Sequence, residues 1–301
     1  MKIAFIGSVD FSRHCLEVTA AAGGEVVLVL TTPFERNLVN ADAADLVSVA
    51  DRLGLPALAV TKINAPEVIE RLQEAKPDIL FVFGFSQLIS PELIACARLG
   101  AVGVHPSPLP IGRGRHPLIW TLINDLKQGA LSFFWIDSGA DTGDLLWQNS
   151  FAITDDDDAG TLMEKIKNLA SKAIPQFLAS LEMGAAQRIP QDETKATVWR
   201  KRGPADGEIQ WDGPARTAFN LIRALTRPYV GATTFCQAKP VQVWKARVVP
   251  AHPGAHPGQI VALGADGAIV QAGDQALQVL DWSFPEGEVA LDVGMVLGRA
   301  R

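Results

Sequence analysis

The chain has 301 residues, with 27 lysines and arginines against 33 aspartates and glutamates, a net charge of −6. This length allows about two domains of roughly 150 residues each, and the acidic balance disfavours a protein that tracks a nucleic-acid backbone. The three cysteines form no CxxC pair, so we expect reduced, buried thiols and no metal site. No apolar run approaches about 18 residues and the first one is too short for a signal peptide. We therefore expect a cytoplasmic protein.

The first half of the chain alternates short apolar runs with segments of helical periodicity. Strands are predicted at 2–7, 25–32, 56–60, 78–84, 99–105 and 130–137. Helices are predicted at 12–24, 43–53, 66–75, 91–97 and 117–128, with a long helix after the acidic residues that begin at 155. The strands are continuous apolar runs, which is typical of a parallel sheet covered on both faces. The pattern predicts a doubly wound α/β domain.

The composition changes after about residue 185, where a polar segment predicts a linker over 186–206. A helix is predicted at 215–226, followed by short strands at 232–237, 241–249, 258–264, 267–273 and 276–282. Short strands separated by turn residues are typical of a small barrel. The predicted organisation is a domain over 1–185, the linker, and a second domain over 207–301.

Three polar clusters are candidates to meet where ligands bind in such sheets, beyond the carboxyl ends of the strands. They are Gly103–Ser107 at the end of the fifth predicted strand, GRGRHP at 112–117, and DSGADTGD at 137–144. A histidine beside a carboxylate can act as an acid or a base, although spacing alone leaves a structural role for His105 open. The chain has no GxSxG or HExxH motif, and GSVDFS after the first strand does not match a dinucleotide-binding GxGxxG.

The order HPSPLP, RGRHPLIW and GADTGD resembles the formyltransferase family, which includes methionyl-tRNA, glycinamide ribonucleotide and sugar N-formyltransferases. The opening KIAFIGSVDFS is similar to the start of that family, and DGEIQW, IRALTRPYVGA and VQVWKA are similar to its C-terminal domain. The resemblance spans nearly the whole chain. It implies a Rossmann-like formyltransferase domain, an OB-like β-barrel domain, and transfer of a formyl group from 10-formyltetrahydrofolate to an amine.

The same resemblance implies that His105 and Asp141 are catalytic, but Gly103 stands where the family has an asparagine. That asparagine donates a hydrogen bond to the formyl oxygen, and loss of one such donor typically costs about 100-fold to 1000-fold in rate. We favour an active enzyme in which His116 or an ordered water replaces the donor. The alternatives are a related transfer or hydrolysis in the same pocket, and a folate-binding homologue without catalysis.

The resemblance also places folate against the loop after the fourth strand. The implied cofactor-binding residues are Phe85, Ser86, Gln87, Leu88, Ile89, Ser138 and Asp141. Backbone groups of Gln87 and Ile89 are expected to read the ring. An alternative assigns the apolar members of this loop to the core.

The choice of amine depends on the charges near the predicted site. The loop after the second strand, residues 33–46, holds one arginine, no lysine and three acidic residues, which makes it a poor contact for a phosphate backbone. We therefore favour a nucleotide-linked amino sugar, with Ser107, Arg113 and Arg115 as substrate contacts and the two arginines on its diphosphate. Methionyl-tRNA is the less favoured acceptor. We expect no membrane partner and allow for a homodimer.

Overall fold

The computed structural model describes residues 1–37 and 41–299, which divide into two compact units. Unit 1 comprises Met1–Pro117, Gln128–Ala152 and Met163–Trp199. Unit 2 comprises Leu118–Lys127, Ile153–Leu162 and the chain from Arg200 onward. The segment predicted as a linker is therefore divided at Trp199. Residues 38–40 of the loop judged a poor phosphate contact lie outside the described residues.

Unit 1 is built on a seven-stranded sheet of order β3-β2-β1-β4-β5-β7-β8. The strands are β1 (Lys2–Ile6), β2 (Glu25–Thr31), β3 (Ala57–Ala59), β4 (Ile79–Val82), β5 (Ala101–His105), β7 (Gln128–Trp135) and β8 (Leu145–Ala152). A separate short parallel pair joins β6 (Arg113–Gly114) to β9 (Val198–Trp199). The first five strands of the large sheet pair in parallel, as predicted, whereas β7 and β8 are antiparallel. The α/β class is confirmed, and the sheet is mixed.

Among residues 1–37 and 41–199, helices alternate with these strands. They are α1 (Asp10–Ala21), α2 (Phe34–Asn37), α3 (Leu46–Leu53), α4 (Pro66–Ala75), α5 (Pro91–Ile94), α6 (Pro117–Ile123) and α7 (Ala159–Glu182). Most of α6 and the first turn of α7 belong to unit 2. Local chemistry sets the ends of the helices. Asp45 caps α3 by accepting from the Ser48 amide, and Gly54 ends it in the left-handed conformation that glycine adopts without strain. Before α7, Asp158 accepts from the Thr161 amide, so the acidic run supplies a cap for this helix.

Both faces of the unit 1 sheet are buried, because alternate residues of the central strands point to opposite sides. On one face, Ile6, Leu30 and Leu80 belong to an apolar cluster that includes residues of α4 and α5. On the other face, Phe81 stacks on Phe83 with ring centroids 5.1 Å apart. Such double coverage explains why the strands are continuous apolar runs rather than alternating ones.

The turn between β1 and α1 ties together the strand ends that lead to the site. The buried Ser12 hydroxyl donates to the Phe83 carbonyl at 2.5 Å and accepts from the amides of Ser8 and Val9. A side chain on Gly7 would place its Cβ 2.5 Å from Ser12 and 2.7 Å from the Phe83 oxygen. The glycine is therefore required by this close approach between the carboxyl ends of β1 and β4.

Unit 2 contains α8 (Ala215–Leu225) and a five-stranded antiparallel sheet of order β10-β11-β14-β13-β12. Its strands are β10 (Ala232–Cys236), β11 (Lys239–Val249), β12 (Ile260–Gly264), β13 (Gly267–Gln271) and β14 (Ala276–Ser283). The predicted C-terminal domain of short strands is confirmed, and the strands are antiparallel. Among the described residues, no helix is both long enough and apolar enough to cross a bilayer.

An ion-pair network joins α8 to the two earlier segments of unit 2. Arg216 binds Asp125 and Asp155, each at 2.6 Å. The buried Arg223 binds Asp125 and also donates to the Thr154 carbonyl. The hydrogen bond from Arg216 is the main cause that lowers the pKa of Asp125 to about 2, against an ordinary value of 3.8.

We predict that this network stabilises the protein only while Asp125 is ionised. Because its pKa is lowered on folding, the stabilisation is present above about pH 4 and is lost as the pH falls towards 2. Arg216→Met should lower the free energy of unfolding by about 1 kcal/mol at neutral pH, and the difference from the wild type should shrink in acid. Urea unfolding across this pH range measures it. The exposed Lys245→Met is the control, and a gap that does not change with pH would contradict the prediction.

Candidate active site

The side chain of His105 lies at the end of β5 and is held on both sides. Its Nε2 is 2.8 Å from the carbonyl oxygen of Gly112, and its Nδ1 is 3.6 Å from Asp141 Oδ2. A carbonyl oxygen can only accept, so Nε2 carries a hydrogen and donates it. In the neutral ring the lone pair is therefore on Nδ1, which faces Asp141.

Asp141 reaches His105 from the loop between β7 and β8. Its backbone is in the left-handed region, with φ of 59°, a conformation that aspartate tolerates better than most residues. Its Oδ2 accepts from the Gly114 amide at 2.9 Å, which fixes the carboxylate. The structure thus brings together the histidine and the aspartate that the sequence singles out.

This geometry suits a proton acceptor. With His105 neutral, Nδ1 and the Asp141 oxygen are two acceptors with no hydrogen between them. Once Nδ1 takes a proton, the same pair becomes a charge-assisted interaction in a site where His105 is only 5% exposed. Asp141 is therefore placed to pair with Nδ1 once that nitrogen has taken a proton, as in general-base catalysis.

The space beside Gly103 is occupied by an aromatic ring from the neighbouring strand β7. Gly103 pairs with Phe134 across β5 and β7. A Cβ on Gly103 would lie 2.8 Å from Phe134 Cζ and 3.2 Å from Ile136 Cγ1. The place where the resemblance implies an amide side chain is thus filled by apolar atoms. Sequence reasoning missed this pairing, because it depends on strand register.

The loop predicted to bind folate is anchored by one of its own members. The Gln87 side chain accepts from the Ile63 amide at 3.0 Å and donates to the Thr61 carbonyl at 3.1 Å. These bonds engage the side chain of Gln87 and leave its backbone, the part expected to read the folate ring, outside them. Leu88 is 79% exposed and is not a core residue, whereas Phe85 and Ile89 pack partly against the apolar cluster. Ser86 and Ser138 are exposed.

Two predicted substrate contacts are already used inside the protein. The Arg113 side chain is 7% exposed and binds Glu193 through two hydrogen bonds of 2.6 and 2.8 Å. Ser107 is fully buried and donates its hydroxyl to the Ile111 carbonyl. Each of these side chains therefore already has a partner within the protein, and the substrate contacts expected of Arg113 and Ser107 stay predictions.

Arg115 differs from Arg113 because its side chain is exposed. Its backbone amide donates to the Trp199 carbonyl at 3.0 Å, and among residues 1–37 and 41–299 no carboxylate forms a salt bridge with its guanidinium. His116 follows it, half-buried, with a φ of 57°. Arg115 is thus the predicted cation that remains available to an anionic ligand.

The sequence matches the pattern described as formyl transferase over residues 1–178 and that of the formyl transferase C-terminal domain over 202–291. The two matches cover most of the chain. It belongs to the formyltransferase family.

Solved structures share the fold at low identity. The sugar 3N-formyl transferase WlaRD, solved with dTDP and 5-N-formyl-THF, has a TM-score of 0.70 at 15% identity over 93% of this chain and 97% of its own. An N-formyltransferase from Helicobacter canadensis, in complex with folinic acid and dTDP-3-aminofucose, has 0.66 at 14% over 93% and 99%. Methionyl-tRNA formyltransferase from Clostridium thermocellum has 0.58 at 18% over 85% and 95%.

We predict that the ring of Phe134 makes Gly103 intolerant of a side chain. Gly103→Ala should destabilise the protein by about 1 to 3 kcal/mol through overpacking. The cost should fall when Phe134→Leu removes the ring, which a double-mutant cycle by denaturant unfolding measures. Gly203→Ala, where an added Cβ meets nothing within 4 Å, is the control and should change stability by less than about 0.5 kcal/mol. If Gly103→Ala cost the same stability with and without the Phe134 ring, a steric conflict between the two residues would be disproved.

Proposed function

We propose that this protein transfers the formyl group of 10-formyltetrahydrofolate to the amino group of a nucleotide-linked amino sugar. The observation that carries the proposal is the arrangement of His105, whose Nε2 donates to Gly112 while Nδ1 faces Asp141. An amine acceptor must lose a proton as it forms an amide bond, and this site offers a buried base whose unprotonated nitrogen lies beside a carboxylate.

The folate loop has the chemistry that a reduced pterin requires. Leu88 is exposed and its neighbours Phe85 and Ile89 are half-buried, so the loop presents apolar surface to a flat ring. The Gln87 side chain fixes the loop through Ile63 and Thr61, which leaves main-chain groups to read the edge of the ring. When bound, the folate supplies the formyl group.

Individual side chains have separate roles in the proposed formyl transfer. His105 Nδ1 takes or relays the proton of the amine, and Asp141 stabilises the charged imidazole. Phe134 fills the space beside Gly103, so a donor to the formyl oxygen has to come from another direction. We assign that role to His116 or to an ordered water, and assign Ser138 with Asp141 to the side of the pocket opposite the folate loop.

The charges near the site favour an acceptor that carries a diphosphate. Arg113 is neutralised by Glu193, which leaves Arg115 as the exposed arginine of the 112–117 segment. One arginine suits a diphosphate, which it can bind through two parallel hydrogen bonds. Two structurally similar enzymes were solved with dTDP or a dTDP-linked amino sugar, which supports this class of acceptor. We also propose that the enzyme is cytoplasmic.

We predict that tetrahydrofolate release from 10-formyltetrahydrofolate, followed by absorbance, depends on one nucleotide-linked amino sugar from a panel of 3-amino and 4-amino sugars. His105→Ala and Asp141→Asn should each reduce this release, by about 100-fold or more for the histidine. If initiator methionyl-tRNA supports tetrahydrofolate release and none of the sugars does, tRNA is the acceptor instead. Folate binding without release for any amine would mean that Gly103 and Phe134 mark a lost reaction.

A second prediction concerns the acceptor's phosphate groups. Arg115→Gln should raise the KM for the nucleotide sugar by about tenfold to a hundredfold, because a hydrogen bond to a charged group contributes about 1.5 to 3 kcal/mol. The kcat should change little, since the phosphate is remote from the reacting amine. Lys2→Gln, at the amino end of β1, is the matched charge control. A KM that Arg115→Gln leaves unchanged would remove Arg115 from the acceptor site.

A further inference from the structure

A segment that the sequence predicts as part of a linker runs along the loops that form the site. We name residues 187–199 the strap; all of them belong to unit 1. The Thr197 amide donates to the Pro110 carbonyl, and the Arg113 amide donates to the Thr197 carbonyl. Its last residues form β9, which pairs with β6. The strap is therefore attached to the 110–115 segment by main-chain hydrogen bonds.

At one end the strap holds the group to which His105 donates. The Gly112 amide donates to the Thr197 hydroxyl at 2.8 Å, while the Gly112 carbonyl accepts from His105 Nε2. Gly112 has a φ of 75°, and a Cβ there would overlap the Trp199 ring. The Thr197 hydroxyl thus holds the peptide before the Gly112 Cα. The Thr197 carbonyl, which accepts from the Arg113 amide, holds the peptide after it. The oxygen of this second peptide determines which nitrogen of His105 carries the hydrogen.

At the other end the strap holds the group that faces His105 Nδ1. The Gln191 side chain donates to the carbonyl oxygens of Asp141 at 2.9 Å and of Gly143 at 2.7 Å. These two bonds clamp the backbone from which the Asp141 carboxylate projects. Since Asp141 is in the strained left-handed region, its conformation depends on such outside support.

Arg113 links the two ends. Its guanidinium donates to Gln191 Oε1 through Nε and Nη2, at 3.2 and 2.8 Å, and to the Glu193 carboxylate. This orients the Gln191 amide so that its NH₂ group points to the Asp141 loop. Asp141 is the carboxylate that faces His105, and its charge, with that of Asp137, also acts on Arg113, which is paired with Glu193.

We propose that Gln191 and Thr197 are positioning residues that set the tautomer and orientation of His105 by holding its two partners. The strap is then a part of the active site and not only a connector. The tautomer stands on geometry alone, and only its consequence for rate rests on the proposed function. Neither side chain contacts His105, so each acts through a backbone that it fixes.

The tautomer is tested by NMR of the histidine ring nitrogens in the full-length protein, with His105 assigned by its loss in His105→Gln. The wild type should show a protonated Nε2 and an unprotonated Nδ1 in the neutral ring. Thr197→Val, which removes the acceptor for the Gly112 amide, and Gln191→Leu should each produce a mixture of tautomers. Thr197→Ser should retain the wild-type signals, as should Lys195→Ala, an exposed strap residue whose salt bridge is to Asp192.

The kinetic arm separates positioning from stability. Thr197→Val and Gln191→Leu should lower kcat by about tenfold to a hundredfold, since a misplacement of about 1 Å can cost that much, while KM for both substrates stays within about twofold. Valine is close in volume to threonine, so we expect Thr197→Val to fold. This variant decides the test by itself if Gln191→Leu does not fold. Unchanged ring signals in folded variants would overturn the proposal. Altered signals without formyl transfer by the wild type would uphold it and refute the proposed function instead.

Discussion

The hydrogen bond from His105 Nε2 to the Gly112 carbonyl is the constraint on which the site depends. A carbonyl acceptor leaves the ring one tautomer, and that tautomer directs its lone pair at Asp141. If Gly112 were displaced, Nδ1 could carry the hydrogen and donate it to the carboxylate. His105 would then have no free lone pair beside Asp141, and the pair could not take up a proton there. One backbone oxygen therefore decides whether the histidine is a base on that side.

The pairing of Gly103 with Phe134 shows a second constraint, which is steric. A glycine in a buried strand usually weakens it, because it packs nothing and loses more entropy on folding. Here the ring of Phe134 occupies the space that the glycine leaves, so the strand recovers its packing. The cost is chemical, because the ring cannot donate a hydrogen bond. Any reaction at this site must stabilise developing negative charge without help from that direction.

The sequence predicted the fold well where burial is symmetrical. The central strands are apolar along their whole length because both faces of the sheet are covered. Their continuous apolar runs predicted them from the sequence. Strand β8 was missed, since Gln148, Asn149 and Ser150 are exposed and break the apolar run. The antiparallel direction of β7 was also out of reach, because continuous hydrophobicity does not distinguish the two senses once both faces are buried.

The site was predicted less completely, for an electrostatic reason. His105 and Asp141 follow strand ends, so topology alone brings them to one edge. Residue type could not show that Arg113 is neutralised by Glu193, which lies 80 positions further along the chain. Gln191 and Thr197 were passed over because a polar segment without apolar periodicity is typical of a linker. A partner that is remote in sequence changes the role of a charged or polar residue, and only the fold reveals it.

The neutralisation of Arg113 also bears on the size of the acceptor. A tRNA is held through many phosphates, and each phosphate neutralised releases counterions, so affinity grows with the number of available cations. In the 112–117 segment one of the two arginines is consumed by Glu193, and only Arg115 remains exposed. A single guanidinium can bind a diphosphate through paired hydrogen bonds. It contributes little to the affinity for a tRNA, which depends on contacts to many phosphates. The charge that remains exposed on the 112–117 segment is therefore in keeping with the small phosphorylated acceptor proposed above.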